Sequence, residues 1–145
     1  MIAVFVENDI KKDLRISHKT VEQLCISVLT NEGHDSGKVT FIFTDDEYLR
    51  GLKKQFFDMD IYTDVITFNL EDEGAPLEGE IYISWDRVKE NARTLKVDVD
   101  EELQRMVVHS SLHLIGYEDE TSDTKAKMTK LEEEYLSLNS LALIQ

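Results

Sequence analysis

Two histidines four residues apart, His109 and His113, constrain this chain more than any other feature of its sequence. On an α-helix, residues at this spacing lie one above the other, so both imidazoles can reach a single metal ion. Gly116 follows and can end the helix by adopting a left-handed backbone conformation. The chain can then turn back and present Asp119 to the same ion. The sequence therefore predicts an open metal site with three protein ligands and a fourth position for water.

The third ligand of this site is the least constrained. Asp119 follows His109 by ten residues, the position at which the longer zinc-protease motif has its third ligand. Glu118 is the alternative, and a solvated surface charge is the simpler interpretation of Glu118 and of Glu120. The simpler alternative for the histidine pair is two half-buried, hydrogen-bonded side chains. We expect His109, His113 and Asp119 to bind Zn²⁺, and a carboxylate ligand also suits Mn²⁺ or Mg²⁺.

The residue after the first histidine indicates the reaction class. Ser110 stands where a zinc protease of the His-Glu-x-x-His type carries its general-base glutamate. Without that base, the site is poorly equipped for peptide hydrolysis, which must also protonate an amine leaving group. Phosphodiester cleavage can depend more on the metal, which lowers the pKa of a water and polarises a phosphoryl oxygen. The motif therefore favours phosphoester hydrolysis.

Composition narrows the class of protein and of partner. The chain has 145 residues, a length typical of one domain, and 41% of them are hydrophobic. Its formal net charge of −14 argues against broad electrostatic adhesion to nucleic acid or to an anionic membrane. A polyanionic partner would need a local basic patch or a protein intermediary, and we expect neither DNA nor a membrane. Cys25 is the only cysteine and no secretory segment is recognisable, so a cytoplasmic protein is expected.

Hydrophobic periodicity predicts strands interspersed with helices. Apolar runs predict strands at residues 2–6, 39–43, 65–70 and 80–85. Helical spacing and capping residues predict helices at 17–33, 44–57, 85–95 and 98–115, and from 121 to 141 or 142. These elements predict a single α/β (α+β) domain over residues 1–145, with a mixed four-stranded sheet, about five surrounding helices and a zincin-like metal helix.

Several of these helices have specific predicted features. A Thr44–Glu47 capping box is expected to open the second helix, and Ser84 and Asp98 are expected to cap the third and the fourth. On the 98–115 helix, one face carries Leu103, Met106, Val107, Ser110 and Leu114, with the two histidines on its flank. The last helix is expected to bury a stripe formed by Met128, Leu131, Tyr135, Leu138 and Leu141 or Ala142.

Three segments of the chain resemble one known family. HSSLHLIGYED, at residues 109–119, resembles the motif His-Gly-x-Leu-His-Leu-x-Gly-Tyr-Asp-His of the YbeY endoribonuclease family. TDVITF, at 63–68, is similar to that family's Thr-(Asp/Asn)-Val-Leu-Ser-Phe strand, and GEIYIS, at 79–84, resembles its Gly-Asp-Ile-x-Ile-Ser strand. The blocks occur in the family's order, which makes their agreement more specific than any one of them.

The resemblance implies a zinc-dependent, single-strand-selective endoribonuclease that acts in ribosomal RNA maturation and ribosome quality control. Its partners would be ribosomal RNA or ribosomal particles, reached directly or through a partner protein. The chain departs from the family pattern twice. Asp119 replaces a third histidine, and Phe57 replaces an arginine suspected of contacting RNA, with Arg50, Lys53 or Lys54 as conceivable substitutes. The catalytic base and the phosphate-binding residue are therefore unassigned.

Two other functions fit the same residues. In the first, the protein is a non-catalytic ribosome-assembly factor in which the metal ties the last loop to the histidine helix. In the second, which is less favoured, it is a zinc protease variant.

Three polar residues of the strand segments have other expected roles. Glu80 is either a partner that orients a ligand histidine or a sheet-edge charge. Thr63 and Asp64 are expected to fix the entry to their strand by local hydrogen bonds.

Overall fold

The computed structural model describes residues 1–10 and 14–145. Within them, the strands are β1 (Ile2–Asn8), β2 (Gly37–Thr44), β3 (Val65–Asn69) and β4 (Leu77–Ser84). The helices are α1 (His18–Asn31), α2 (Asp46–Phe57), α3 (Trp85–Leu95), α4 (Val99–Leu114) and α5 (Ser122–Ser137). None of these helices combines the length and the apolar character that a bilayer crossing requires.

The strands form one mixed sheet in the order β1-β2-β4-β3. Strand β2 runs parallel to both of its neighbours, whereas β3 pairs with β4 in the antiparallel sense. The predicted fold class, a mixed four-stranded α/β fold with five helices, is confirmed. Strand β4 begins at Leu77, three residues before the predicted start.

Helix α4 lies at the centre of the core. Its C-terminal end lies against β4, and it also contacts β3, α1, α3 and α5. The predicted core face of this helix is buried, and Ser110 is as fully buried as its apolar neighbours. The Ser110 hydroxyl donates to the carbonyl of Met106 at 2.7 Å, so this polar group is satisfied within the helix. The histidines on the flank are partly buried, at the border between core and solvent.

Gly79 allows the end of α4 to pack directly on β4. A Cβ atom added at Gly79 would lie 2.5 Å from Leu114 Cδ1 and 2.9 Å from Cδ2. Leu114 is 2% exposed and follows His113 in the chain, so it has little room to move without shifting the metal helix. Packing at this position therefore sets the height of the predicted ligands above the sheet.

We expect Gly79→Ala to lower the free energy of unfolding by about 1–3 kcal/mol, the usual cost of overpacking a filled core. Urea unfolding of the purified variant measures this change. Gly51→Ala is the matched control, because a Cβ there meets no atom within 4 Å and alanine favours the helix in which it lies. Equal losses in the two variants would contradict the close-approach explanation.

The cap of α2 is Asp45, so the predicted Thr44–Glu47 capping box is wrong. Asp45 Oδ1 accepts a hydrogen bond from Tyr48 N at 2.8 Å. Thr44 is instead the last residue of β2, where it is buried and paired with Ser84 of β4. The strand continues further than predicted, and aspartate caps helices as well as threonine does. The predicted cap Ser84 is confirmed, whereas Asp98 occupies its cap position without a side-chain hydrogen bond. Ser17, which precedes the first helix, caps α1.

The last helix ends at Ser137, earlier than predicted. Leu138 and Leu141, which were expected on its buried stripe, are 75% and 41% exposed. The chain beyond them turns back and buries Leu143, whose backbone N–H donates to Asp100 Oδ2 at 2.9 Å. The other predicted members of the stripe pack in or against the core; they are Met128, Leu131 and Tyr135.

Candidate metal centre

The predicted ligands His109, His113 and Asp119 come together in the structure. Asp119 Oδ2 lies 3.5 Å from His109 Nε2 and 3.6 Å from His113 Nε2. One ligand atom from each residue lies within 4.8 Å of the other two. Ligand atoms around a tetrahedral zinc, with bonds of about 2.0–2.2 Å, lie roughly 3.3–3.6 Å apart. The group could therefore hold a metal ion with only small side-chain movements, and the alternative ligand, Glu118, does not belong to it.

The turn after α4 brings Asp119 to the histidines. Gly116 has a φ of 106°, in the left-handed region that glycine adopts without strain. Its N–H donates to the His113 carbonyl at 3.0 Å, and Tyr117 N–H donates to Leu112 O at 3.1 Å. These bonds close the helix end and reverse the chain. The predicted role of Gly116 as the helix stop is confirmed.

Both imidazoles are oriented through their Nδ1 atoms. His113 Nδ1 lies 2.8 Å from the Tyr117 carbonyl oxygen, and His109 Nδ1 lies 2.6 Å from Glu132 Oε2. A carbonyl only accepts hydrogen bonds, so the His113 Nδ1 carries a proton and donates it. The same tautomer at His109 leaves both Nε2 lone pairs directed at Asp119, as a metal site requires.

Glu132, rather than Glu80, is the carboxylate that is hydrogen-bonded to a candidate ligand histidine. Glu80 is on β4, an inner strand, so it is not a sheet-edge charge, and it accepts a hydrogen bond from Tyr82 at 3.3 Å. It alternates with Gly79, which meets α4, and therefore points to the opposite face of the sheet. Glu132 is 6% exposed and lies on the same helix face as Met128 and Tyr135. The sequence feature that indicates this role is a glutamate at helical spacing from the apolar residues on the buried face of α5.

The surroundings of His109 favour a positive charge. Burial lowers the pKa of this imidazole, but the hydrogen bond and charge of Glu132, with the charges of Asp64 and Asp119, outweigh burial and raise it. Arg105 neutralises part of this acidity, because its guanidinium lies 3.4 Å from Glu132 and 2.8 Å from Glu133. A cation beside the His109 ring is therefore stabilised, and a divalent metal ion supplies such a charge.

We expect Glu132→Gln to weaken metal binding about 10- to 100-fold, because the amide loses the charge that orients and polarises the His109 ring. Competition with a chromophoric chelator measures the affinity. Glu133→Gln is the matched control, because it also removes a carboxylate that pairs with Arg105 but does not touch a histidine. Equal affinities in the two variants would show that Glu132 does not support the metal site.

The three predicted ligands lie in the wall of an open cavity of about 730 Å³. Asp64 and Thr63 also line it, and both make the predicted local bonds: Asp64 Oδ1 accepts from Val65 N at 2.8 Å, and Thr63 Oγ1 donates to Val65 O at 3.4 Å. Glu102 is buried in the same wall, and burial raises its pKa against the opposing charge of Arg105. The cavity thus combines a metal-competent group with acidic walls and room for part of a polymer.

Apart from Lys53, the remaining cationic and histidine candidates lie outside this cavity or are already paired. Arg50, a conceivable substitute for the family's arginine, is bonded to Asp60 at 2.6 Å. On α3, which holds the most basic short stretch of the sequence, Arg87 pairs with Asp46. His18 Nε2 lies 2.8 Å from a backbone carbonyl oxygen in β1. Of the proposed arginine substitutes, only Lys53 lines the cavity within the described part of the chain.

A mixed α/β sheet that supports a His-His-Asp group able to hold a metal ion, in an open cavity, fits the class of metal-dependent hydrolases. The sequence model of the family described as Endoribonuclease YbeY matches residues 5–140. The chain belongs to this family, as the sequence motifs predicted. Membership makes it an endoribonuclease, a hydrolase of phosphodiester bonds.

Individual relatives support the assignment. Endoribonuclease YbeY of Chlorobium limicola is 38% identical over 135 residues, which cover 93% of this chain and 92% of that protein. Endoribonuclease YbeY of Christiangramia forsetii is 36% identical over 137 residues, with coverages of 94% and 93%. The solution structure of a Thermotoga maritima protein superposes with a TM-score of 0.60 at 31% identity, covering 95% of this chain and 91% of that one.

Proposed function

We propose that His109, His113 and Asp119 bind Zn²⁺ and form the catalytic centre at which this endoribonuclease cleaves single-stranded ribosomal RNA. The observation that carries the proposal is the convergence of three oriented ligand atoms in the wall of an open cavity. A bound divalent ion supplies Lewis acidity and activates water near neutral pH. Glu132 and the Tyr117 carbonyl hold the two imidazoles in the tautomer that the ion needs.

The geometry argues against the zinc-protease alternative. The residue at the position of the protease base, Ser110, is fully buried, and its hydroxyl donates to the carbonyl of Met106. It therefore neither reaches the cavity nor has a basic atom free to accept a proton from water. Hydrolysis of a phosphodiester places less demand on such a base, because the ion can stabilise the charge on the phosphoryl oxygens.

The non-catalytic assembly factor is a second candidate, and the charge of the site favours it. Arg105 of the cavity wall is paired with Glu132 and Glu133, and the whole chain carries a net charge of −14. Such a protein binds RNA weakly without help, so delivery by a protein of the ribosomal particle in the cytoplasm fits the electrostatics.

Cleavage of one labelled RNA strand, compared between its single-stranded and its duplex form, tests the proposed function. The zinc-loaded protein is incubated with a ribosomal RNA fragment, either alone or annealed to its complement. We expect internal cleavage of the single strand and protection of the duplex. Parallel reactions with Mn²⁺ or Mg²⁺ identify the supporting metal, and metal analysis of Asp119→Ala tests the third ligand. An intact single strand at high protein concentration with metal supplied would favour the assembly factor.

A further inference from the structure

Two side chains near the end of α2, Phe57 and Lys53, form a part of the cavity wall that the metal centre does not use. Phe57 is 44% exposed, although it is large and apolar. Its ring stacks on Phe68, with centroids 6.0 Å apart and 27° between the planes. Lys53 Nζ lies 4.7 Å from the Phe57 centroid. The wall therefore carries an aromatic ring that is held by packing, still accessible to the cavity, and accompanied by a positive charge.

The charge of Lys53 is available to a ligand, unlike that of Arg105. Arg105 lies within 4.0 Å of Glu102, Glu132 and Glu133. In residues 1–10 and 14–145, by contrast, no carboxylate forms an ion pair with Lys53. A phosphate near Lys53 would thus meet an ammonium group whose charge no carboxylate of the cavity wall pairs with.

We propose that Phe57 stacks against one base of the RNA strand and that Lys53 contacts a phosphate of the same segment. This inference rests on the proposed function and names the residues that select its substrate. Aromatic rings bind bases of any sequence, because every base has a π-face. An unpaired base can leave its neighbours and stack on protein, whereas the bases of a duplex remain covered. A stacking wall beside the metal centre therefore favours single strands over duplexes.

Binding, measured apart from cleavage, tests the stacking. The zinc-loaded protein is titrated into a single-stranded 2′-O-methyl RNA that contains 2-aminopurine, with strand integrity checked on a gel. We expect the fluorescence of the probe to change on binding, because the base exchanges its neighbours in the strand for the Phe57 ring. Phe57→Ala should weaken binding by about 5- to 150-fold and abolish the fluorescence change, and Phe57→Trp should retain both the affinity and a fluorescence change. Phe57→Leu, which keeps apolar area without an aromatic ring, should behave like the alanine variant.

Phe56→Ala is the matched control. Phe56 is the neighbouring residue, is 58% exposed and also contacts Phe68, but it does not line the cavity. Phe56→Ala should leave the affinity and the fluorescence change as in wild type. Equal effects of the Phe56 and Phe57 variants, or wild-type affinity in Phe57→Leu, would overturn the stacking role.

The same titration at several salt concentrations tests the phosphate contact. Loss of one phosphate contact to single-stranded nucleic acid should reduce the slope of log affinity against log salt by about 0.7. We expect this change for Lys53→Ala and none for Lys54→Ala, because Lys54 does not line the cavity. Unequal slopes support the contact, and equal slopes overturn it.

These results separate the two proposals. A wild-type protein that binds the probe and changes its fluorescence without cleaving RNA would support stacking and contradict the proposed catalysis. Cleavage with an unchanged KM in Phe57→Ala would support the catalysis and contradict stacking. A wild-type protein that neither binds the probe nor changes its fluorescence would contradict the stacking wall.

Discussion

His113→Ala is expected to reduce RNA cleavage by more than about 100-fold, because even the outer-shell partners of metal ligands change activity or affinity by 10- to 100-fold. The substitution removes one of the two nitrogen ligands. It also removes the hydrogen-bond donor to the Tyr117 carbonyl, which is only partly buried, so this second loss is small. Initial rates on a labelled single strand, with metal content determined on the same preparation, measure the effect. Both the bound metal and the rate should fall.

His34→Ala is the control for this prediction. His34 is also partly buried, but it belongs to the connection between α1 and β2 and lies outside the metal-competent group. Its loss should leave the rate and the metal content unchanged. A far-ultraviolet circular dichroism spectrum of His113→Ala that matches wild type would exclude misfolding. Full cleavage by a correctly folded His113→Ala protein would remove the metal centre from the mechanism.

The histidine helix was predictable because its signals are local. The spacing of His109 and His113, the apolar face beside them and the glycine after them all lie within one element and its cap. The 3.6-residue period fixes which side chains share a face, whatever the helix later packs against. The structure accordingly brings Asp119 to the histidines as predicted, within 4 Å of both Nε2 atoms.

The partner of His109 was not predictable in the same way, because it depends on how two helices pack. Glu132 is 23 residues away, on α5, and only the contact of α5 with α4 brings its carboxylate to the imidazole. Glu80 was considered instead because it lies in a strand block of the family motif. In the structure, Gly79 lies on the face of the sheet that α4 covers, so the side chain of Glu80 lies on the opposite face. The alternation of side chains along a strand does not itself say which face is covered.

The end of the last helix is a second feature that could not be predicted from the sequence. The apolar positions of α5 continue in helical spacing through Leu138 and Leu141, so periodicity alone extends the helix. The structure ends it at Ser137, because Asp100 accepts backbone N–H groups from Leu143 and the next residue. That side-chain acceptor competes with further helix formation. It lies 43 residues earlier, in the first turn of α4, so no local sequence pattern indicates it. Phe57 is a similar case, since only the tertiary fold brings the end of α2 to the cavity of α4.

Removal of the metal is expected to abolish cleavage and to lower the melting temperature together. A ligand that binds only the folded state, present at about 1,000 times its Kd, contributes roughly 4 kcal/mol of stability. For a domain of this size that corresponds to a decrease of roughly 8–16 °C on chelation. The loss has a structural reason: without a cation, Asp119 holds the turn after α4 to the histidines only by contacts of 3.5 and 3.6 Å.

Differential scanning calorimetry measures the melting temperature, and a cleavage assay on the same sample measures the activity. Both are done before chelation, after chelation and after return of Zn²⁺. His113→Ala is the matched control, because its melting temperature should not respond to the chelator once a ligand is missing. Recovery of stability and of cleavage on return of the ion is expected of a catalytic centre. Recovery of stability in a protein that never cleaves RNA would instead identify a structural metal, since only the assembly-factor function uses the ion to fix the loop without using it in hydrolysis.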